Sequence, residues 1–145
     1  GGLVEHTLNV IEYALKLADT FKSKVSKESI VLCACGHDTG KAYEYYVNNL
    51  LKSGKVSGSK PKKINPSLMI KSHAMRSLTI MSKFFTLTES EKVAILSHDG
   101  WYENTNREYM LAIEELLYII HSADLYVARF VEPVKSYKGG DEIDL

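Results

Sequence analysis

The chain reads as all-α, a single compact bundle of about five to seven helices. Three observations point there. From Leu3 to Phe21 the apolar residues recur at spacings of three and four, the pattern of an amphipathic helix. Helix-start signals recur downstream: Ser26 as an N-cap, Pro66 in a first turn, and Thr88 with Glu91 as a capping box. No stretch alternates convincingly as a strand, and no internal repeat is present.

Taken in order, the first helix spans Leu3 to Phe21, with His6 near its start and spaced with Val10 and Tyr13 toward the inner face. The second runs from about Lys27 to Asp38, with Ser29 where a capping box carries an acid, and Gly40 punctuates it. Lys41 to Leu51 reads as a short third helix carrying Tyr43, Tyr45 and Tyr46. Ser53 to Asn65 is a loop with Gly54, Gly58, Pro61 and the cations Lys55, Lys60, Lys62 and Lys63. It is either a solvated loop or a basic flap over an anionic substrate. Helix four extends from Pro66 to about Phe85 and bears His73; helix five runs from Thr88 to about His98, where Asp99-Gly100-Trp101-Tyr102 breaks it. A long last helix spans roughly Arg107 to Val131 and stops at Pro133, before a frayed acidic tail.

Composition narrows the function classes. At 145 residues the chain is one domain, with a tail from about 133, and is long enough for a real core. Eighteen Lys and Arg balance eighteen Asp and Glu, so no global field favours nucleic acid or a membrane surface. No apolar run approaches the roughly 20 residues of a membrane helix. There is no signal peptide, and the chain opens at Gly1-Gly2 without Met, so an upstream part could be absent. Cys33 and Cys35 are too close for a structural disulfide and are expected to be small core residues. Nothing suggests an oxidising compartment, and the expected location is cytoplasmic.

The chemistry centres on His37-Asp38-Thr39-Gly40-Lys41, at the end of the apolar run Ile30-Val31-Leu32-Cys33-Ala34-Cys35. An imidazole and a carboxylate are costly to bury there unless a metal ion or partner compensates them. The chain has five histidines, His6, His37, His73, His98 and His121, all within helix-like segments. Asp99 follows His98 directly, and Asp124 lies three after His121, on the same helical face. Imidazole and carboxylate together suit Zn, Mn, Fe, Co or Ni, with Mg a further candidate. Helices distant in sequence can project such groups into a bundle core. His73 and Arg76 also share a face, and a cation beside such a histidine suits a phosphoryl group.

The order His6, His37-Asp38, His73, His98, Asp124 resembles the HD-domain superfamily of metal-dependent phosphohydrolases. The opening Gly1 to Thr7 is similar to that of HD domains in bacterial 3′-to-5′ exoribonucleases. His37-Asp38-Thr39-Gly40-Lys41 resembles the family's His-Asp-x-Gly-Lys element, and His121-Ser122-Ala123-Asp124 its closing segment. The resemblance covers residues 1 to about 130. It implies that His6, His37, Asp38 and Asp124 hold a first metal. Asp38 would bridge to a second completed by His73 and His98, since members with both middle histidines tend to be binuclear. Asp99 stands where binuclear relatives often carry another His; it either ligates through oxygen or points away. The Gly-Tyr-Pro signature of cyclic-di-GMP hydrolases is absent, which argues against that substrate.

These roles imply hydrolysis of a phosphoester of a nucleotide or nucleic acid by metal-activated water. Lys41, Arg76 and Arg129 would neutralise charge on the phosphoryl oxygens. His121 is read as leaving-group acid, as a residue supporting the ligands, or as a packed core histidine. The alternative is a catalytically reduced domain that binds metal or nucleotide within a larger regulatory protein. A reduced domain would be expected to lack one of His6, His37, Asp38 or Asp124, and all are present. The expected partner is a phosphorylated small molecule or nucleotide, with nucleic acid a further candidate; the oligomeric state is left open.

Overall fold

A computed structural model describes residues 2–43, 45–46, 63–64, 68–112 and 114–132. Among the described residues, six α-helices form the fold: α1 (Leu3–Thr20), α2 (Lys27–Gly36), α3 (His73–Met81), α4 (Glu89–Leu96), α5 (Arg107–Leu111) and α6 (Glu115–Tyr126). Single 3-10 turns occupy Thr39–Tyr43, Gly100–Tyr102 and Asn104–Asn106, and a π-turn extends α6 over Val127–Val131. The chain is all-α, as the periodicity predicts. One two-residue antiparallel ladder pairs Tyr45 with Ile64 and Tyr46 with Lys63.

Helix α6 is the axis of the bundle. Leu116, Leu117, Ile119, Ile120 and Ala123 are buried on one face, an arc of about 160°, against α1, α2 and α4. Val10 and Ala14 of α1, Ile30, Cys33 and Ala34 of α2, and Ala94 and Ile95 of α4 complete the core. Each fully buried Leu or Ile contributes about 1.5–3 kcal/mol relative to exposure. Cys33 is buried, and burial pushes its thiol up to about 12; Cys35, expected in the core with it, is exposed. The two lie two apart on one helix, so one faces in and the other faces out.

Helix ends follow local chemistry. Ser26 caps α2 through its hydroxyl and the Ser29 amide, and Ser72 caps α3 through the Met75 amide. Thr88 and Glu91 form the expected capping box at α4. Glu91 is also buried, and the Ser29 hydroxyl donates to its Oε1 at 2.7 Å, joining α2 to α4.

The helix boundaries depart from the sequence reading at three places. Helix α3 starts at His73, beyond the described residues Leu68–Ser72, because the Ser72 side chain caps it there. The last helix is divided: α5 stops at Leu111, and a new helix begins at Glu115 after a break that includes Ala112 and Glu114. In place of the expected helix from Lys41, the chain makes the 3-10 turn Thr39–Tyr43 and then enters the ladder. The cations Lys55, Lys60 and Lys62 of the expected loop, and the tail from 133, lie outside the described residues.

Glu91 supplies a stability prediction. Burial opposes its charge, but the bonds from Ser29 and Thr88 hold the carboxyl below its ordinary range. Glu91→Ala is expected to cost about 1–3 kcal/mol at pH 7, the loss of a cap and of a bond to a charged acceptor. A depressed folded-state pKa gives stability that is full above the unfolded value and is lost as pH falls. The gap between wild type and variant in urea unfolding should therefore shrink from pH 6 to pH 3. A gap independent of pH would show that the carboxylate charge plays no part.

Candidate metal centre

The end of α2 sets the site. Burial leaves His37 fully covered, and its Nδ1–H donates to the Ala34 carbonyl, three residues back, at 2.8 Å. That bond fixes the tautomer and aims Nε2 inward. Burial depresses the imidazole to about 4, against the pull of Asp38, so it is neutral at pH 7 with its Nε2 lone pair turned toward the other donors. The end of α4 repeats the backbone bond but not the shift, because there burial, which lowers the imidazole, is outweighed by Asp38 and Asp99, which raise it. His98 is fully buried, and its Nδ1–H donates to the Ile95 carbonyl at 2.8 Å.

Asp38, 2% exposed, lies between these two histidines. Its Oδ2 is 3.5 Å from the Nε2 of both His6 and His37. His6 Nε2 is 3.3 Å from His37 Nε2 and 3.0 Å from Asp124 Oδ1. The other oxygen, Asp38 Oδ1, is 3.4 Å from the Nε2 of both His73 and His98, which are themselves 3.1 Å apart. One carboxylate thus presents one oxygen to each of two donor sets contributed by five elements of the bundle.

These spacings fit a divalent ion. Ligands about 2.1 Å from a metal lie about 3.0 Å apart in octahedral and about 3.4 Å apart in tetrahedral arrangement. Asp38 Oδ1 is buried without a hydrogen-bond partner, a costly state for a carboxylate oxygen and one a cation would relieve. Three donor groups are close enough to hold an ion: His6, His37 and Asp38; His37, His98 and Asp124; and Asp38, His73 and His98.

The charges are arranged around that carboxylate. Burial opposes ionisation of Asp38, yet His98, His37 and Lys41 hold it well below the usual carboxylate range. Asp124 is also lowered, its burial outweighed by His6 and the other histidines. Lys41 Nζ donates to Asp38 Oδ2 at 2.8 Å, and Asp38 raises its pKa despite partial burial. Asp99 turns toward the second set, with Oδ2 3.4 Å from His73 Nε2.

The remaining candidates have different surroundings. Arg76 is buried; its Nε donates to the Gly40 carbonyl at 3.0 Å and its Nη1 to the carbonyls of Ile70 and Lys71 at 2.6 and 2.8 Å. It ties the turn after Asp38 to the start of α3. Gly40 is required there, because a Cβ would collide with the His73 carbonyl and come within 2.8 Å of Arg76 Cβ and the Ser77 amide. His121 donates from Nδ1 to the His98 carbonyl at 2.8 Å, leaving Nε2 free of that bond. Gly100, at φ 57°, leaves room for that imidazole, which any Cβ would strike. His121, Asp124, Asp99, Tyr102 and Arg129 line a recess of about 160 Å³ beside the donors. A larger apolar groove, about 590 Å³ between α2 and α3, contains none of the donors.

Sequence reasoning missed Glu132. Its Oε1 accepts from His6 Nδ1 at 2.8 Å, across 126 residues of chain. No local pattern could signal a bond set by the far end of α6.

Comparison with known proteins agrees with this geometry. The family model described as the HD domain matches residues 3–129. No curated protein and no solved structure matches the chain significantly. Among the described residues, no helix is long and apolar enough to cross a membrane.

Proposed function

The chain belongs to the HD-domain family of metal-dependent phosphohydrolases, and on that premise we propose a binuclear enzyme that hydrolyses a phosphoester of a nucleotide or nucleic acid. One observation carries the binuclear reading: the two oxygens of Asp38 face two separate histidine sets. In this reading His6, His37, Asp38 and Asp124 hold the first ion, and Asp38, His73 and His98 the second. Asp99 is a further oxygen donor to the second. Bound divalent ions lower the pKa of water toward neutrality and polarise a phosphoryl oxygen.

The chain's own groups do the rest. His37 and His98, each fixed through Nδ1 by a backbone carbonyl, hold their Nε2 atoms in place without reorganising. Lys41, kept charged beside Asp38, meets the negative charge of the substrate phosphate. His121, with Nδ1 committed to the His98 carbonyl, presents Nε2 as the atom that, once it has taken up a proton and the ring is imidazolium, would pass that proton to the leaving oxygen. Arg129 lines the same recess and adds a second cation for the phosphate. Arg76 enters as a positioning residue that holds the His-Asp turn against α3.

The recess, about 160 Å³, is smaller than the about 300–1,000 Å³ of pockets that enclose a whole ligand. It suits a phosphate group, with the remainder of the substrate held outside it. A nucleotide or the end of an oligonucleotide meets that requirement, and zero net charge favours the nucleotide, because unaided nucleic-acid binding is driven by cationic surface. The test joins metal analysis of purified protein to a screen of mononucleotides and short oligonucleotides. Two ions per chain with phosphoester hydrolysis is the expected result. Metal-replete protein that hydrolyses none of them would overturn the enzyme reading and favour a regulatory module.

A further inference from the structure

The bond between His6 and Glu132 joins the first helix to the last residue described, and the backbone at that point is unusual. The Glu132 amide donates to the Val127 carbonyl at 3.0 Å, five residues back, which closes a π-turn. Such turns insert one extra residue into a helix and recur at functional sites. In an uninterrupted helix, seven residues bring position 131 to within about 20° of Asp124. That position holds Val131. The inserted residue transfers the place to Glu132, where the chain leaves the helix with extended backbone. A carboxylate thereby reaches the edge of the donor set instead of a valine.

His6 depends on an outside partner in a way that His37 and His98 do not. His37 and His98 are each fixed by a carbonyl of their own helix. His6 stands in the first turn of α1, its side chain 12% exposed, and its Nδ1 meets the carboxylate of Glu132 at 2.8 Å. Its Nε2 points at Asp124, His37 and Asp38.

We infer that Glu132 is a positioning residue, a carboxylate delivered by the π-turn that orients His6 as a metal ligand. This rests on the proposed metal site and adds to it a member outside the matched segment, which ends at 129. A carboxylate on the far nitrogen fixes the tautomer and makes the near nitrogen a better donor; loss of such a partner typically weakens metal binding about 10–100-fold.

The test uses the whole chain and Co(II) as probe. Co(II) affinity is measured by chelator competition and by the visible absorption band of the bound ion, for wild type, Glu132→Ala and Glu132→Gln. Glu132→Ala should bind Co(II) about 10–100-fold more weakly with an altered band, while the melting temperature without metal stays unchanged. Glu132→Gln keeps an acceptor for the Nδ1 proton and should recover much of the affinity. Wild-type affinity in Glu132→Ala would overturn the inference while leaving the metal site standing. So would a loss of affinity that merely follows a loss of metal-free stability. Wild-type protein that binds no Co(II) would overturn both together.

Discussion

Asp38→Ala is expected to remove bound metal and hydrolysis together, a larger loss than any other single substitution in the site. Asp38 is the one side chain that faces both donor sets, Oδ2 toward His6 and His37 and Oδ1 toward His73 and His98. Deleting any other donor weakens one set; deleting this carboxylate weakens both. The fall in turnover should exceed the about 10–100-fold that follows loss of a supporting partner. Two controls separate chemistry from folding. Circular dichroism of the metal-free variant should match wild type, because Asp38 contributes no apolar packing. Asp38→Asn keeps the shape and one oxygen but lacks the charge that draws in a cation, and should also lose metal. Full metal occupancy in folded Asp38→Ala would sink the proposed bridge.

How much of this was legible in the chain depends on distance. Capping is local, so Ser26, Thr88 and Glu91 revealed the starts of α2 and α4 from neighbours three residues away. Core burial is periodic, so α1 was plain from its apolar stripe. The break between α5 and α6 was not plain, because the apolar residues continue across it and only tertiary packing chooses where the helix stops. Scarcity and the cost of burial drew attention to the His and Asp residues, but the six donors and their division into two sets around Asp38 came from the resemblance. The distances between them could not be read from the chain, since they depend on how five elements converge. Arg76 shows the same limit. Its spacing from His73 places it correctly on a shared face, but its carbonyl partners Gly40, Ile70 and Lys71 come from the path of the chain. Asp99 was open between ligating and pointing away, and its carboxylate lies toward His73.

His73→Ala is the substitution that separates one ion from two. His73 opens α3, its side chain 19% exposed, and Ser72 caps the helix independently of it. The variant should therefore fold, whereas His98→Ala would open a cavity at a fully buried position and confuse metal loss with instability. His73 Nε2 stands 3.1 Å from His98 Nε2 and 3.4 Å from Asp38 Oδ1, and it touches no member of the first set except that shared carboxylate. Removing it leaves His6, His37, Asp38 and Asp124 complete. Metal analysis should then find about one ion per chain where wild type holds two, with hydrolysis lost, if both ions act on one phosphoryl group. A variant that keeps two ions would remove His73 from the ligand set. Metal-replete wild type that never exceeds one ion would refute the second site, and the buried Oδ1 of Asp38 would then need a partner other than a metal.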